Sequence, residues 1–316
     1  MIMRISTSMM FELSKNAMQD RQSDLSKIGL QLSTGKRIAT PSSDPRAAGQ
    51  VLLTQQSNAL NSQFENSRIT AQQKLSTQDS VLDSVTDLIT RAKSLVVQAG
   101  NGTLSDVDRQ SNATELEGLY QEAIGLANSQ DGNGNYIFAG SQSDQPAFTE
   151  NAGGVSYNGD NVVQSMRVDA SRNMKINRIG SDVFDIDASG SDPASNLFNT
   201  LKSAINALNQ PMGDGTGGTI APGAYRETID RTNRQLDQSL DNVLTVRSSI
   251  GSNLNEIDAL DEIGSTRALN YESQISSLQD LDYADAISRY SVSQVGLQAS
   301  QQLFTKVQDL SLFKML

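Results

Sequence analysis

The sequence contains no cysteine, no histidine and no tryptophan, and only 6 of its 316 residues are proline. Without cysteine there are no disulfides, no thiolate-ligated zinc site and no thiol nucleophile. Without histidine, the usual general base near neutral pH and the commonest metal ligand are both missing. Catalysis by carboxylates, lysine and serine stays open, but most familiar routes are closed. No stretch approaches the ~20 consecutive apolar residues of a membrane span, so membrane insertion is not expected. The segment from Met1 to Phe11 leans apolar but lacks the apolar centre and small-residue cleavage site of a secretory signal. Such a chain either stays in the cytoplasm or leaves through a dedicated machine that does not cleave it. Basic residues are in deficit, with 25 Lys plus Arg against 36 Asp plus Glu. Nucleic acid and anionic membranes both select dense basic patches, so neither is an expected partner. The charges are interspersed and read as solvated helix faces.

What the sequence does have is periodicity. Phe11, Met18, Leu25 and Leu32 fall seven apart with Ile28 on the same seam, but Ser14 and Arg21 interrupt it. A lone helix with so thin a stripe is marginal in water. A break follows from Gly35 to Pro45, where Asp44-Pro45 reads as an N-cap and first-turn proline. Leu75, Leu82, Ile89 and Val96 then form one heptad row, with Val85, Ala92 and Ala99 as its partner, until Gly100-Asn101-Gly102. A shorter helix over about 105–129 carries Leu116, Leu119, Ala123 and Leu126. The longest run is Ile229, Leu236, Val243, Ile250 and Ile257, with Leu240 and Leu254 on the adjoining row. A heptad sustained that long predicts coiled-coil packing. From Tyr225 to about Leu281 such a helix spans roughly 85 Å at 1.5 Å per residue. The last segment repeats the weak pattern of the first, with Val292, Ala299, Leu303, Leu310 and Phe313 among polar residues.

Between the helices the chain changes character. Asp131-Gly-Asn-Gly-Asn135 is a turn cluster, and Tyr136-Ile-Phe138 a short β-type run. Val155-Ser-Tyr157, Val162-Val163 and Met166-Arg-Val168 alternate between Gly/Asn/Asp turns, and Asn158-Gly159 is a hairpin signal. A helix over about 194–209 and a Gly/Thr/Pro loop over 211–223 complete the middle. The predicted fold is mainly α: an elongated rod of antiparallel coiled-coil helices from both chain ends, with a small inserted β domain. Its expected divisions are 1–44 with 282–316 as a terminal helical layer disordered in the monomer, 45–139 with 189–281 as the rod, and 140–188 as the β insertion. No catalytic, cofactor or metal site is expected. The turn at Asp131 resembles the start of an EF-hand loop, but Tyr136 stands where glycine is needed and Gln142 where the bidentate glutamate belongs. Two glycosylation-type triplets, at Asn101 and Asn112, are common by chance.

Two stretches carry a family resemblance. Gln31-Leu-Ser-Thr-Gly-Lys-Arg-Ile38 followed by Ser42-Ser-Asp-Pro-Arg-Ala-Ala-Gly49 resembles the N-terminal signature of the flagellin superfamily. Its matching positions are Leu32, Ser33, Gly35, Arg37, Ile38, Asp44, Ala47, Ala48 and Gly49. Val96-Val-Gln-Ala-Gly-Asn-Gly-Thr103 resembles that family's helix-terminating segment, and Asp280-Leu-Asp-Tyr-Ala-Asp-Ala-Ile287 its C-terminal signature. Within the superfamily, Met3-Arg-Ile-Ser-Thr7 and Asn135-Tyr-Ile-Phe-Ala-Gly140 look like the hook–filament junction members, which would make Met1-Ile2 an upstream extension. The resemblance implies a structural subunit outside the cell on the bacterial flagellum, exported through the flagellar type III channel without a cleaved signal. Its implied partners are copies of itself in a ring, the hook protein, a neighbouring hook-associated protein and a cytoplasmic export chaperone. It also gives the weak ends a role: Phe11, Met18, Leu25, Leu32, Val292, Leu303, Leu310 and Phe313 become an assembly and chaperone surface. The rival readings are a short flagellin that forms the filament itself and an intracellular coiled-coil scaffold. A carboxylate hydrolase in the β insertion is the remaining enzyme reading.

Overall fold

In a computed structural model, the structure describes residues 7–151, 154–185, 196–213 and 215–312. Helices dominate them: α1 (Thr7–Thr34), α2 (Pro45–Ala99), α3 (Asp106–Ala127), α4 (Gly180–Phe184), α5 (Leu197–Asn209), α6 (Pro222–Gln279) and α7 (Tyr283–Leu312). Two antiparallel hairpins stand between α3 and α4. They are β1 (Phe148–Asn151) with β2 (Gly154–Tyr157), and β3 (Ser165–Asp169) with β4 (Arg172–Lys175). The mainly α class with a small inserted β region is thus the one the heptad rows and turn clusters predict. The chain divides into two compact units, one of residues up to Ser62 with those from Ser265, the other Gln63–Gly264. These boundaries fall inside α2 and α6, not at the turns where the sequence changes character.

In the 63–264 unit the core runs along a seam between α2 and α6. Leu75, Leu82, Ile89 and Val96 on α2, with the partner row Val85, Ala92 and Ala99, are all fully buried. So are Leu236, Ile250 and Ile257 on α6, with Ile229 and Val243 nearly so, and Leu240 and Leu254 pack partly buried beside them. Charged contacts flank the seam and fix its antiparallel direction. Going up α2, Arg68 meets Asp261, Gln72 donates to Asp258 (3.4 Å), Asp79 accepts from Arg247 (3.2 Å), and Lys93 meets Asp237. The Tyr225 hydroxyl closes the ladder on the Ala99 carbonyl at 2.7 Å. Helix α3 starts on a capping box between Ser105 and Asp108, which satisfies two of its free N-terminal donors, and it packs against α5.

The β insertion is held by aromatic packing and by buried polar side chains reaching from α2. Phe138, Phe148, Phe184 and Phe198 form a cluster with neighbouring centroids 5.0–5.5 Å apart. The Gln78 side chain donates to the Ile137 carbonyl (2.9 Å) and accepts from the Arg178 backbone (3.0 Å). Arg68, also buried, donates to the Val168 carbonyl at 3.1 Å. Two expectations fail here. Tyr136 makes only an isolated bridge to Gln130, and Ile137 and Phe138 form a turn that delivers the Phe138 ring to the cluster. Asn158-Gly159 is not a hairpin turn. Asn158 donates to the Ala147 carbonyl (2.8 Å) at the end of the β1–β2 ladder, and Gly159 is small because an added Cβ would lie 2.4 Å from the Tyr157 hydroxyl. That tyrosine is pushed up to about 12 by burial.

The seam makes a direct prediction. Ile250→Asp places a carboxylate in the fully buried row and should lower unfolding free energy by about 3 kcal/mol or more in urea denaturation. Gln238→Asp, on the exposed face of α6, should be nearly neutral. Equal losses would show that the heptad register does not organise this core.

Candidate assembly site

In the other unit, the two signature segments meet. Helix α1 ends at Gly35, whose φ of +68° is a left-handed turn that other residues adopt only with strain. An added Cβ there would also stand 2.8 Å from the Tyr283 hydroxyl. The turn then pairs with the break between α6 and α7. The Leu281 N–H donates to the Gly35 carbonyl (3.1 Å), and the Arg37 N–H to the Gln279 carbonyl (2.7 Å). The Arg37 guanidinium donates to the Leu278 carbonyl at 2.6 Å and lies 3.6 Å from Asp44. Gln31, buried at the end of α1, donates to the Arg37 carbonyl at 2.6 Å. Ile38, Ala47, Val51, Leu281 and Ala286 are the buried apolar residues of this junction.

Asp44 caps α2 as its position before Pro45 predicts: its side chain accepts from the Ala47 N–H at 3.1 Å. The remaining signature positions have ordinary places. Ser33 is exposed and bonds the Leu30 carbonyl (2.9 Å), Leu32 and Ala48 are half-buried, and nothing in the structure explains the glycine at 49. Sequence reasoning missed Gln31, Leu281 and Tyr283 as partners of this turn. Leu281 and Tyr283 belong to the C-terminal signature, but no spacing in the sequence says that the two signatures touch.

Helices α1 and α7 pack antiparallel, with Gly29 beside Tyr290 and Gly296 beside Arg21. The face that α7 turns inward is Ala286, Tyr290, Ser293, Leu297, Ser300 and Phe304. The apolar stripe expected to form that seam lies elsewhere: Val292 is 69% exposed and Leu303 61% exposed. The inner positions mix Ser293 and Ser300 with Tyr290, Leu297 and Phe304, and on the facing helix Met18, Leu25 and Leu32 are only half-buried. The side chains of Phe11 and Leu310, and the whole of Phe313, lie outside the described residues.

Among the described residues no group of three or more carboxylates is placed to hold a metal ion, and no helix is long and apolar enough to cross a membrane. The Asp131 turn is closed by its own backbone. Its carboxylate accepts from the Asn133 and Asn135 N–H groups, both at 2.9 Å, and the Asn135 bond foremost holds it below the ordinary aspartate range.

Residues 5–143 match the bacterial flagellin N-terminal helical region, and residues 234–316 the bacterial flagellin C-terminal helical region. Flagellar hook-associated protein 3 of Salmonella typhimurium is 43% identical over 320 residues, covering 99% of each chain. That of Escherichia coli is also 43% identical with the same coverage. A crystal structure of a flagellar junction protein from Legionella pneumophila superimposes with a TM-score of 0.60 at 19% identity, over 73% of this chain and 100% of that one, which establishes a common fold.

The junction yields a stability prediction. Asp44→Ala removes the α2 cap and should cost about 1 kcal/mol in urea unfolding followed by circular dichroism. Asp44→Asn keeps a capping oxygen while losing the charge near Arg37 and should stay within a few tenths of a kcal/mol of the parent, since exposed ion pairs contribute little.

Proposed function

This chain belongs to the bacterial flagellin family, in its hook-associated protein 3 branch, and from that premise we propose that it is the structural adapter joining the flagellar hook to the filament. The observation that carries this reading is end-to-end identity of 43% to two flagellar hook-associated proteins, covering 99% of each. A shared fold alone would not separate an adapter from a filament subunit; identity across the whole chain, insertion included, favours the adapter. Its work is packing, not catalysis. Copies of the chain form a ring, with hook protein on one side and a neighbouring hook-associated protein on the other. The chain reaches the cell exterior through the flagellar export channel without losing a signal peptide, escorted to it by a cytoplasmic chaperone.

The terminal unit supports the packing role. The exposed Val292 and Leu303 give α7 an outward apolar face in addition to the one it turns to α1. Exposed apolar stripes of that kind bind partners or aggregate. The proposed order is that the chaperone covers the C-terminal stripe Val292, Leu303, Leu310 and Phe313 in a helix-in-groove mode. Neighbouring subunits replace it after export, while the N-terminal stripe Phe11, Met18 and Leu25 belongs to the helix on the other face of α7. The thin α1–α7 seam fits ends that order fully only in the assembly.

A deletion strain seen by electron microscopy should carry hooks without filaments and shed unpolymerised flagellin into the medium. Filaments of normal length on that strain would overturn the adapter role, while abundance of the protein along sheared filaments would favour the flagellin reading. Retention inside an export-competent cell would favour the scaffold reading. For the surface itself, Leu303→Ala with Leu310→Ala should weaken chaperone binding and assembly together, and Gln301→Ala should affect neither. A double variant that binds chaperone normally yet fails to assemble would refute the shared surface. Limited proteolysis of dilute monomer should trim roughly 1–40 and 285–316 from a resistant core; ends that survive would refute their disorder.

A further inference from the structure

The sequence contains three Asn-Gly pairs, at 101–102, 133–134 and 158–159. Glycine leaves the preceding asparagine side chain room to approach the following backbone nitrogen, so each pair is chemically able to cyclise. The surroundings of the three differ sharply. After α2 the chain makes a tight turn in which the Asn101 N–H donates to the Gln98 carbonyl (3.1 Å) and the Leu104 N–H to the Asn101 carbonyl (3.2 Å). Within it the Asn101 side-chain oxygen accepts two bonds, from the Thr103 N–H at 3.3 Å and the Thr103 hydroxyl at 2.9 Å. Among the described residues no acceptor takes the Gly102 N–H or the Asn101 side-chain NH2. The Arg226 guanidinium lies 3.5 Å from where a Cβ on Gly102 would be.

These features are the parts of an acyl-transfer site. We propose that Asn101 is a spontaneous modification site: it cyclises onto Gly102 and becomes aspartate or isoaspartate while the protein is folded. The Gly102 nitrogen loses its proton to solvent hydroxide and attacks the Asn101 side-chain carbon, forming a C–N bond. The electron pair of the C=O bond moves onto the side-chain oxygen, where both Thr103 donors stabilise the developing charge as an oxyanion hole does. The oxyanion collapses, the C–N bond to the side-chain NH2 breaks, and that group leaves as ammonia after taking a proton from water, giving a succinimide. Water then opens the ring at either carbonyl, leaving a carboxylate beside Arg226. The nearby guanidinium favours the anionic nitrogen before attack and the carboxylate afterwards.

The other two pairs lack this arrangement. The Gly134 N–H is bound to the Asp131 carbonyl at 3.0 Å, and the Asp131 carboxylate beside it opposes a second negative charge. Asn158 has its side-chain NH2 on the Thr149 hydroxyl at 2.7 Å, and Gly159 is packed against Tyr157 and the Ala139 carbonyl. The folded environment therefore ranks three chemically alike pairs.

The test incubates the intact full-length protein at mildly alkaline pH and 37 °C, then follows tryptic peptides by mass spectrometry. Peptide 94–109 contains Asn101 as its sole asparagine, so exchange of nitrogen for oxygen there is read without ambiguity. Position 101 should convert at least several-fold faster than 133 and 158 in folded protein, and the three rates should converge in urea. Thr103→Val keeps the N–H donor but loses the hydroxyl, and Arg226→Gln loses the charge; each should slow position 101 several-fold while leaving 133 unchanged. Conversion at 133 or 158 as fast as at 101 in the folded protein, or rates at 101 indifferent to both substitutions, would overturn the proposal.

Discussion

The 63–264 unit depends on one contact: the dry seam where α2 meets α6. Ile250 and Leu82 have no solvent exposure, and neither helix carries enough apolar surface to fold alone. Every other element of the unit is attached to that seam. Helices α3 and α5 pack on each other and join its core, the phenylalanine cluster extends it beneath the hairpins, and Gln78 and Arg68 reach out of α2 to hold loop carbonyls. Because buried amide and guanidinium groups are costly unless bonded, these two side chains fix where the insertion sits as well as adding to its adhesion.

The terminal unit is built on the opposite balance. Its inner α7 face sets Ser293 and Ser300 among Ala286, Tyr290, Leu297 and Phe304, most of them only half-buried, and backbone pairing at Gly35–Arg37 with Gln279–Leu281 supplies the specificity. A segment of that kind holds its geometry without being strongly held together.

The strong heptads were legible in the sequence because large aliphatic residues mark both the period and the face. Leu75 through Val96 and Ile229 through Ile257 are buried as their spacing predicts. The register of α7 was not legible, because Val292, Ala299 and Leu303 point outward while Ser293 and Ser300 point inward beside Tyr290, Leu297 and Phe304, against the rule on which period-reading rests. Asn158-Gly159 misled for a related reason: its glycine answers a tyrosine ring that arrives from the same strand, and not a tight turn. Of the junction, the cap at Asp44 could be read locally. The pairing of Arg37 with Leu278, 241 positions apart, could not, since nothing in either segment encodes the distance between them.

That separation has a temporal side. Synthesis proceeds from the amino terminus, so α1 leaves the ribosome long before α7, the helix against which it lies. No partner for Gly35 exists until Leu281, beyond the end of α6, has been made. Contacts this remote in sequence form late because a long loop must close before they give anything back. Helix α1 is thus unpaired until α7 has been made, and any protein that binds nascent amphipathic segments meets it before its own partner does.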